Sequence, residues 1–479
     1  MHPLLNPVTA IRCYTILKRY PKNLRMFSQA QMQKFQTKSF VNLLRYASHV
    51  PVYRSLYTQK NIKLREIKNL TDITKLPLVS KKTIMDAYPT QSIPEKRYYQ
   101  KHVHPLSTSG STGKSITFYT DFLAMTYGAS LYLRELSEFG LNWKTTRFAH
   151  IGNFTPGKAD STFDQGFTKK MGFFILKNTT LILNAFDPLK DTLNRLNTFK
   201  PDLIMSYPVT LQHLAYAKMK GLGEQINPKI IAVGGYVLDE YTRTYIKDAF
   251  HCPVLNVYAS AESGGDIAFE CLHGTWHVNY DYYLIEAIDD QGNRVSPGEI
   301  GHIVLTRLFG RGTPFIRYTG MDDWVSIIDE YACPCGLTTP ILHGGVAGRA
   351  NTSIILPDGR LFPAASFAIL SVVLKELKTN KVKQFQIIQQ TLNRIDILLV
   401  IDPDLRDADP PVDVLMQKIQ EIYEKKVGPE VTITVKEVES IPSPKNKPAP
   451  LVISHVPQEQ RYKIIAWGSE QQFAAQKKQ

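Results

Sequence analysis

The residues of this sequence best suited to chemistry form a short segment rich in glycine and hydroxyl groups, STSGSTGKS, at positions 107–115. Glycines let backbone N–H groups approach an anion, serine and threonine hydroxyls add donors, and Lys114 adds positive charge. A Walker A loop would need glycine at position 108, where Thr108 stands. The β-favouring run that follows indicates a strand-flanked phosphate-binding loop rather than the alternative, a flexible Ser/Gly linker.

Further short motifs follow this loop along the chain, each of them weak when taken alone. They are, in order, Gly234-Gly235, the segment YASAE at 258–262, Arg317-Tyr318 with Asp322, Gly348-Arg349, and a late Lys447. The ordered set resembles the adenylate-forming acyl and aryl coenzyme A ligases, in particular the phenylacetate–coenzyme A ligase branch and its relatives in capsule-polysaccharide gene clusters. The resemblance extends over residues 30–455.

The resemblance implies an AMP-forming acid–thiol ligase that uses ATP and magnesium. A carboxylate of a small acid attacks the α-phosphate of ATP, pyrophosphate leaves, and a thiol such as coenzyme A, or another acceptor, takes the acyl group. The protein contributes mainly positioning and charge neutralisation. By the same resemblance, the β- and γ-phosphates would be held by Ser109, Gly110, Ser111, Thr112, Gly113 and Lys114.

The resemblance implies that residues from the middle of the chain bind the nucleotide. Gly234 and Gly235 would pass close to the adenine, and Tyr258 would stack on it. Asp322 would accept hydrogen bonds from the ribose hydroxyls, and Arg349 would hold the ribose and phosphate end. One site would thus be assembled from several separate segments.

Two charged residues would act on the reacting phosphate. Glu262 would hold magnesium, a hard cation that prefers carboxylate and phosphate oxygens. Lys447 would be the catalytic residue that neutralises the charge shared by the carboxylate and the α-phosphate in the transition state. Lys445, two positions earlier, is the alternative for this role.

Several positions depart from the pattern of the resembled branch. Ala259 and Ala261 replace its usual glycine and threonine, Tyr236 its usual glutamate, and Asn351 its acidic hinge residue, while Pro448 constrains the lysine loop. Together with the basic amino-terminal segment, these departures suggest an alternative to the ligase function. It is a catalytically weak or inactive ligase-fold protein that serves polysaccharide biosynthesis as a scaffold or membrane-peripheral partner.

A second group of residues has the chemistry of a metal site. Cys333-Pro334-Cys335 is a two-thiol turn, and Cys271 precedes it with two nearby histidines. Thiolate and imidazole ligands suit tetrahedral zinc, and the resembled branch often carries a similar arrangement, which implies structural zinc. Free thiols are the other reading, and His273 is an alternative ligand. The predicted zinc ligands are Cys271, His277, Cys333 and Cys335.

Apolar runs of strand length alternate with amphipathic helical stretches between residues 147 and 258, which predicts an α/β sheet with crossover connections. From Glu286 short strands and turns predict an antiparallel or barrel-like piece, and an α+β unit follows. With the resemblance, we expect a large adenylate-forming domain of stacked mixed β-sheets with helices and a small β-barrel-like piece at 1–347. A small mobile α+β lid domain would occupy 348–455, and a polar tail 456–479.

The net charge and the cysteine content bear on the location of the protein and on its partners. The 479 residues carry a net charge of +14, and the first 100 hold 18 Lys and Arg against 4 Asp and Glu. No run is apolar enough for a signal peptide or a membrane span, and the five cysteines are sparse, so we expect a cytoplasmic protein. The basic amino-terminal region predicts peripheral membrane contact, nucleic-acid binding or simply a solvated face. Because the chain carries no base-reading motif, no nucleic acid is expected.

Overall fold

The computed structural model describes residues 3–95, 103–108, 115–156, 158–169, 179–349, 353–362, 364–443, 448–457 and 460. Its helices are α1 Pro7–Arg19, α2 Asn23–Met26, α3 Gln29–Ala47, α4 Pro51–Gln59, α5 Lys81–Ala87, α6 Phe122–Glu138, α7 Ala159–Phe163, α8 Leu189–Phe199, α9 Pro208–Met219, α10 Glu240–Phe250, α11 Ala364–Phe367, α12 Leu370–Glu376 and α13 Val412–Val427. A π-helical turn, Asp164–Thr168, continues α7.

The strands of the first three quarters of the chain build a hairpin and one large sheet. They are β1 Val103–Ser107, β2 Thr117–Asp121, β3 Phe148–Gly152, β4 Thr180–Asn184, β5 Leu203–Ser206, β6 Ile230–Val233, β7 Val254–Ser260, β8 Gly265–Glu270, β9 Trp276–Val278, β10 Tyr283–Ile288, β11 Ile300–Arg307, β12 Asp323–Ile328 and β13 Ile341–Arg349. The sheet has eleven strands in the order β10-β11-β12-β13-β9-β8-β7-β6-β5-β3-β4, and β1 pairs with β2 alone.

The last strands form two smaller sheets. They are β14 Ile354–Ile355, β15 Leu361–Phe362, β16 Val382–Thr391, β17 Arg394–Ile401, β18 Thr432–Glu437 and β19 Val452–Ser454. Strands β14 and β15 make a hairpin, and the others a four-stranded sheet in the order β18-β17-β16-β19. The predicted α/β class, with a small carboxyl-terminal unit that has its own sheet, is confirmed.

The large sheet is mixed, and its parallel part provides a common edge. Strands β3, β4, β5 and β6 are parallel to one another, whereas β10 to β12 are antiparallel. Because the carboxyl ends of parallel strands meet at one edge, Gly152, Ser206 and Gly234 lie at the same edge of the sheet. Ligands of open α/β sheets bind at such an edge.

The chain forms two compact units. The first comprises Met1–Ser206, Gln225–Gly235 and Leu255–Gly345, and the second Tyr207–Glu224, Tyr236–Val254 and Val346–Gln479. The core of the first unit packs helices α3 and α6 against β3 and β5 to β8, through residues such as Met32, Leu136, Phe148, Leu203, Val257 and Phe269. The second unit includes α9 and α10 as well as the carboxyl-terminal sheet. The domain boundaries predicted from the sequence stay a prediction.

A break separates two short helices of the second unit. The structure has α11 and α12 with a break at Ala368 and Ile369. The backbone N–H of Ile369 donates to the Tyr423 hydroxyl of α13 at 3.1 Å, a contact that a residue inside a continuous helix would not make. The buried face of α13 consists of Leu415, Ile419, Tyr423 and Val427.

Candidate active site and metal cluster

The predicted phosphate loop connects the two strands of the β1–β2 hairpin. Ser107 pairs with Thr117, the Thr108 N–H donates to the Ile116 carbonyl at 3.0 Å, and the Ser115 hydroxyl donates to the Thr108 carbonyl at 2.6 Å. These bonds hold the two ends of the loop together. The predicted phosphate-binding residues themselves lie outside the described residues: Ser109, Gly110, Ser111, Thr112, Gly113 and Lys114.

The glycine pair after β6 has structural reasons of its own. A Cβ on Gly234 would lie 3.1 Å from Cγ2 of Val257 on β7, so glycine lets the end of β6 pack against its neighbour. Gly235 has φ +78°, a backbone conformation that other residues rarely adopt. The pair makes a sharp exit from the sheet edge, where backbone can approach a bound molecule closely.

The Tyr258 ring is held at the end of β7 by a carboxylate. Its hydroxyl donates to Oδ2 of Asp323 at 2.7 Å, and only 9% of the residue is exposed. The turn after β7 is closed by the Ser260 N–H, which donates to Oγ of Ser263 at 3.0 Å. A tyrosine fixed at both backbone and hydroxyl presents its ring in one orientation, as a stacking platform requires.

The Tyr318 hydroxyl contacts Glu262, and its pKa is also influenced by the charge of Asp322. This hydroxyl donates to Oε1 of Glu262 at 3.2 Å, and the Glu262 carbonyl accepts a 2.9 Å bond from the buried Arg307. Burial and then the nearby carboxylates of Glu262 and Asp322 raise the pKa of Tyr318 well above its ordinary value, so it remains a donor. Asp322 has φ +59°, which turns its backbone at the start of β12.

Glu262 fits the chemistry of a magnesium ligand. It is a buried carboxylate, 6% exposed, whose backbone and one oxygen are fixed by neighbours. Magnesium usually binds one or two protein carboxylates together with substrate phosphates and water. The donor type therefore suits the ion, although its other ligands would come from the nucleotide.

Four further predicted positions are described only in part or lie outside the described residues. Arg349 ends β13, and only its backbone is described. Lys447, its alternative Lys445 and the hinge position Asn351 lie outside the described residues. Their roles stay predictions.

The predicted zinc ligands come together in the first unit. Cys271 follows β8, His277 lies on β9, and Cys333 and Cys335 lie in the segment between β12 and β13. The four ligand atoms lie within 4.8 Å of one another. His273 is exposed and is not part of this group.

The spacing within this cluster fits a tetrahedral ion. Two thiolates bound to zinc at about 2.3 Å would be roughly 3.8 Å apart. Sγ of Cys271 and Sγ of Cys333 are 3.8 Å apart, and Sγ of Cys335 is 3.2 Å from Nε2 of His277. Nδ1 of His277 contacts Oγ1 of Thr339 at 2.9 Å, which orients the ring as the outer partners of metal-bound histidines do. The donor set and its geometry suit zinc.

A cavity of about 260 Å³ lies beside the Tyr258 turn in the first unit. Leu106 and Thr120 of the β1–β2 hairpin and the turn residues Ala259, Ser260 and Ala261 all line it. The strands that carry the phosphate loop and the turn that carries Glu262 therefore border one cavity, which also extends along β3 and α7.

Sequence reasoning missed two residues of this arrangement. Tyr318 was part of a motif without a role of its own, and Asp323 was not singled out. Each is adjacent to, or within, a motif that was recognised, but only the fold shows that Tyr318 reaches Glu262 and that Asp323 reaches Tyr258.

Known proteins share both sequence and architecture with this chain. A model of the CapK C-terminal domain matches residues 365–455. A phenylacetate–coenzyme A ligase of Thermus thermophilus is 23% identical over 441 residues, covering 87% of this chain and 94% of the relative. The protein CapK of Staphylococcus aureus is 24% identical over 438 residues, covering 90% and 89%.

The fold comparison agrees with these relatives. A crystal structure of a 2-hydroxyisobutyryl-coenzyme A ligase, in complex with R3-HIB-AMP, superimposes with a TM-score of 0.75 at 16% identity and covers 94% of both chains. The resemblance predicted from the ordered motifs is confirmed. The chain is therefore a homologue of phenylacetate–coenzyme A ligases and of CapK, and it has the fold of the adenylate-forming coenzyme A ligases.

Proposed function

We propose that this protein activates a carboxylic acid with ATP as an acyl adenylate, releases pyrophosphate, and transfers the acyl group to a thiol such as coenzyme A. The observation that carries the proposal is the shared cavity. The hairpin that carries the phosphate loop and the turn that leads from Tyr258 to Glu262 both border it. An acid in this cavity would lie between the segments that bind phosphate, magnesium and adenine in such a reaction.

The proposal gives a role to each of the site residues that the structure describes. The Tyr258 ring, fixed by Asp323, stacks on the adenine, and Asp322 accepts hydrogen bonds from the ribose. Glu262, held by Tyr318, binds magnesium beside the phosphates. Such preorganised groups accelerate the reaction because they need not reorganise as charge develops. Ser109 to Lys114, Arg349 and Lys447 complete the set as the resemblance implies.

We also assign zinc to the group formed by Cys271, His277, Cys333 and Cys335, with a structural role. All four positions are filled by protein atoms, whereas catalytic zinc keeps one position open for water or substrate. The zinc would tie the β8–β9 turn to the segment before β13.

Acid-dependent release of pyrophosphate tests the proposed reaction. The protein is incubated with ATP, magnesium, coenzyme A and a panel of aryl and aliphatic acids, and both pyrophosphate and thioester are measured. We expect release with at least one acid and its loss in Lys447→Ala, with Lys445→Ala as the matched control. Release that no acid stimulates, by a protein that still binds ATP, would contradict the proposal and favour a scaffold role.

A second candidate function, peripheral binding to an anionic membrane, is favoured by the surface of α1. Val8, Ile11 and Tyr14 are 62–66% exposed on one face, while Cys13 and Ile16 are buried on the other. The first 65 residues contain no Asp or Glu, and Arg12 and Lys18 are exposed near this face. Apolar and basic side chains on one helix face suit anionic headgroups. Among the described residues, no helix is long and apolar enough to cross a bilayer.

Vesicle sedimentation tests this candidate. We expect the protein to sediment with vesicles containing phosphatidylglycerol, less so with pure phosphatidylcholine, and Ile11→Ser to weaken the binding. Leu222→Ser, which changes an exposed leucine far along the chain, is the control. Equal recovery with both vesicle types, or an unchanged Ile11→Ser variant, would remove membrane binding.

A further inference from the structure

The cavity beside the Tyr258 turn has a polar wall that an unsubstituted aryl acid would not need. Most of its lining is apolar, with five aromatic rings from Tyr132, Phe148, Phe154, Phe163 and Phe167. The same lining contains His150 of β3, Asp160 of α7 and Asp164 of the π-helical turn. A few polar groups in a mostly apolar pocket orient the bound molecule and provide specificity, so their placement favours a ligand with matching groups.

His150 and Asp160 meet over a glycine. A Cβ on Gly152 would lie 3.0 Å from Nε2 of His150 and 2.7 Å from Oδ2 of Asp160, so only glycine leaves room for both groups. The same Asp160 oxygen accepts a 2.8 Å bond from the Asn153 N–H, which fixes the carboxylate in the wall. The imidazole and the carboxylate are therefore close together and held in place.

The His150 ring is also fixed by its aromatic neighbours. It stacks on Phe148 with the ring centroids 5.9 Å apart, and it meets Phe154 edge to face at 5.4 Å. Burial lowers the pKa of His150 below its ordinary value, although Asp160 and Asp164 act in the opposite direction. The ring is thus neutral at physiological pH, with one nitrogen that donates and one that accepts.

The charge of the lining has one sign. Asp160, Asp164 and Asp266 line the cavity, and no Lys or Arg is found among the described lining residues. Lys169 lies behind Asp164, with Nζ 3.3 Å from the carboxylate. Asp160 and Asp164 offer hydrogen-bond acceptors, and their negative charge would repel the carboxylate of the substrate away from His150 and Asp160.

We propose that the cavity selects carboxylic acids whose apolar body carries a hydrogen-bond donor, a hydroxyl or an amino group, received by His150 and Asp160. The inference rests on the proposed acid-activating function and names the substrate class. The aromatic lining contacts the body of the acid, and the His150 imidazole and the Asp160 carboxylate accept hydrogen bonds from its donor. The carboxylate of the acid itself points towards the Tyr258 turn. A site built to bond a donor discriminates strongly against the analogue that lacks it.

Matched acids measure this preference. Pyrophosphate release is followed with phenylacetate, its ring-hydroxylated forms and its aminomethylated forms, the last two separating a neutral donor from a cationic one. We expect kcat/KM at least about tenfold higher for a donor-bearing acid than for phenylacetate. A preference for phenylacetate over all of them would overturn the inference while leaving the ligase function intact.

Two variants tie the preference to the proposed residues. Asp160→Asn keeps an oxygen for the Asn153 N–H, and His150→Phe keeps the ring contacts; we expect both to reduce the donor preference to about threefold or less. Asp191→Asn, on the exposed side of α8, should keep it. If His150→Phe does not fold, Asp160→Asn decides, and an unchanged preference in it refutes the assignment. Absence of release with every acid would instead refute the ligase function.

Discussion

The Cys/His group lies in the same compact unit as Tyr258, Glu262 and Asp322, which are proposed to bind the nucleotide and its magnesium. The two groups differ in how far hydrogen bonds satisfy their polar groups. The four ligand atoms of the cluster converge on one point, and thiols form only weak hydrogen bonds with one another. Glu262 and Asp323, in contrast, each accept a bond from a tyrosine hydroxyl. With the zinc proposed above, the first group would depend on an ion for its stability, whereas the second is satisfied before any ligand binds.

Loss of the proposed zinc should have the largest effect, a loss of stability. If stability did not change, the contrast between the two groups would not hold. We expect Cys335→Ser, or removal of zinc by a chelator, to lower the free energy of unfolding by about 4 kcal/mol or more, because metal binding energy contributes to folding. Thermal melts with and without zinc, together with the metal content of the purified protein, measure this. Cys13→Ser, a buried thiol outside the cluster, is the control. Equal effects of the two variants would refute the zinc site.

Glu262→Gln should show the opposite behaviour. The amide oxygen still accepts from Tyr318, so the melting temperature should change little, while the lost charge weakens magnesium binding. We expect pyrophosphate release to fall by about 100- to 1000-fold, or about 3–4 kcal/mol of transition-state stabilisation. Glu299→Gln, on an exposed turn, controls for the loss of one charge. Unchanged release at limiting magnesium would exclude Glu262 as the ligand.

Asp266, which lines the cavity, and the buried Glu135 form a pair of carboxylates that adds a pH dependence to the stability of the first unit. Burial raises the pKa of Asp266 to about 6, and burial and then Asp266 raise the pKa of Glu135. Between about pH 4 and pH 6, Asp266 therefore keeps its proton in the folded protein but has lost it in the unfolded chain. This contribution to stability is present below about pH 4 and is lost as the pH rises through about 6.

Asp266→Asn isolates this effect. We expect the free energy of unfolding of the wild-type protein to fall relative to the variant between pH 4 and pH 7, by up to about 3 kcal/mol. Denaturant titrations across this range measure the difference, with Asp191→Asn as the control on an exposed helix face. If the free energy of unfolding of the wild-type protein instead rose relative to that of the variant over this range, the pKa of Asp266 would not be raised in the folded protein.

The smallest expected effect is that of the hydroxyl that supports Glu262. Tyr318→Phe removes one donor but keeps the buried ring, so we expect pyrophosphate release to fall by about three- to tenfold, on the order of 1 kcal/mol. The magnesium concentration at half-maximal rate should rise, because the carboxylate is less well oriented. If Tyr318→Phe changes stability and not the magnesium dependence, the hydroxyl is structural only.

Several elements and the grouping of the cysteines with His277 could be predicted from local patterns. The pairing of β14 and β15 around the Pro357-Asp358-Gly359 turn follows from turn chemistry, and Pro51 begins α4 as its fixed φ favours. The cysteines and His277 come from two short segments whose residue types alone suggest a metal. Such signals need no knowledge of distant contacts.

The remaining features depend on contacts between distant segments. His150 looks like any residue of an apolar strand, and its role emerges only because Gly152 lets Asp160 approach it. The break between α11 and α12 arises from the Tyr423 hydroxyl, more than 50 positions later in the chain. Sequence periodicity predicts which face of a helix is buried but not which polar atom will meet it.

In the proposed reaction, the β1–β2 hairpin would link the two substrates. The loop between its strands is predicted to bind the triphosphate, its side chains Leu106 and Thr120 line the proposed acid cavity, and Ser107 bridges to Lys158 just ahead of the helix that carries Asp160. A tilt of this ribbon would shift all three at once. Occupancy by ATP should therefore alter the affinity for the acid, and the acid should alter the affinity for ATP by the same factor.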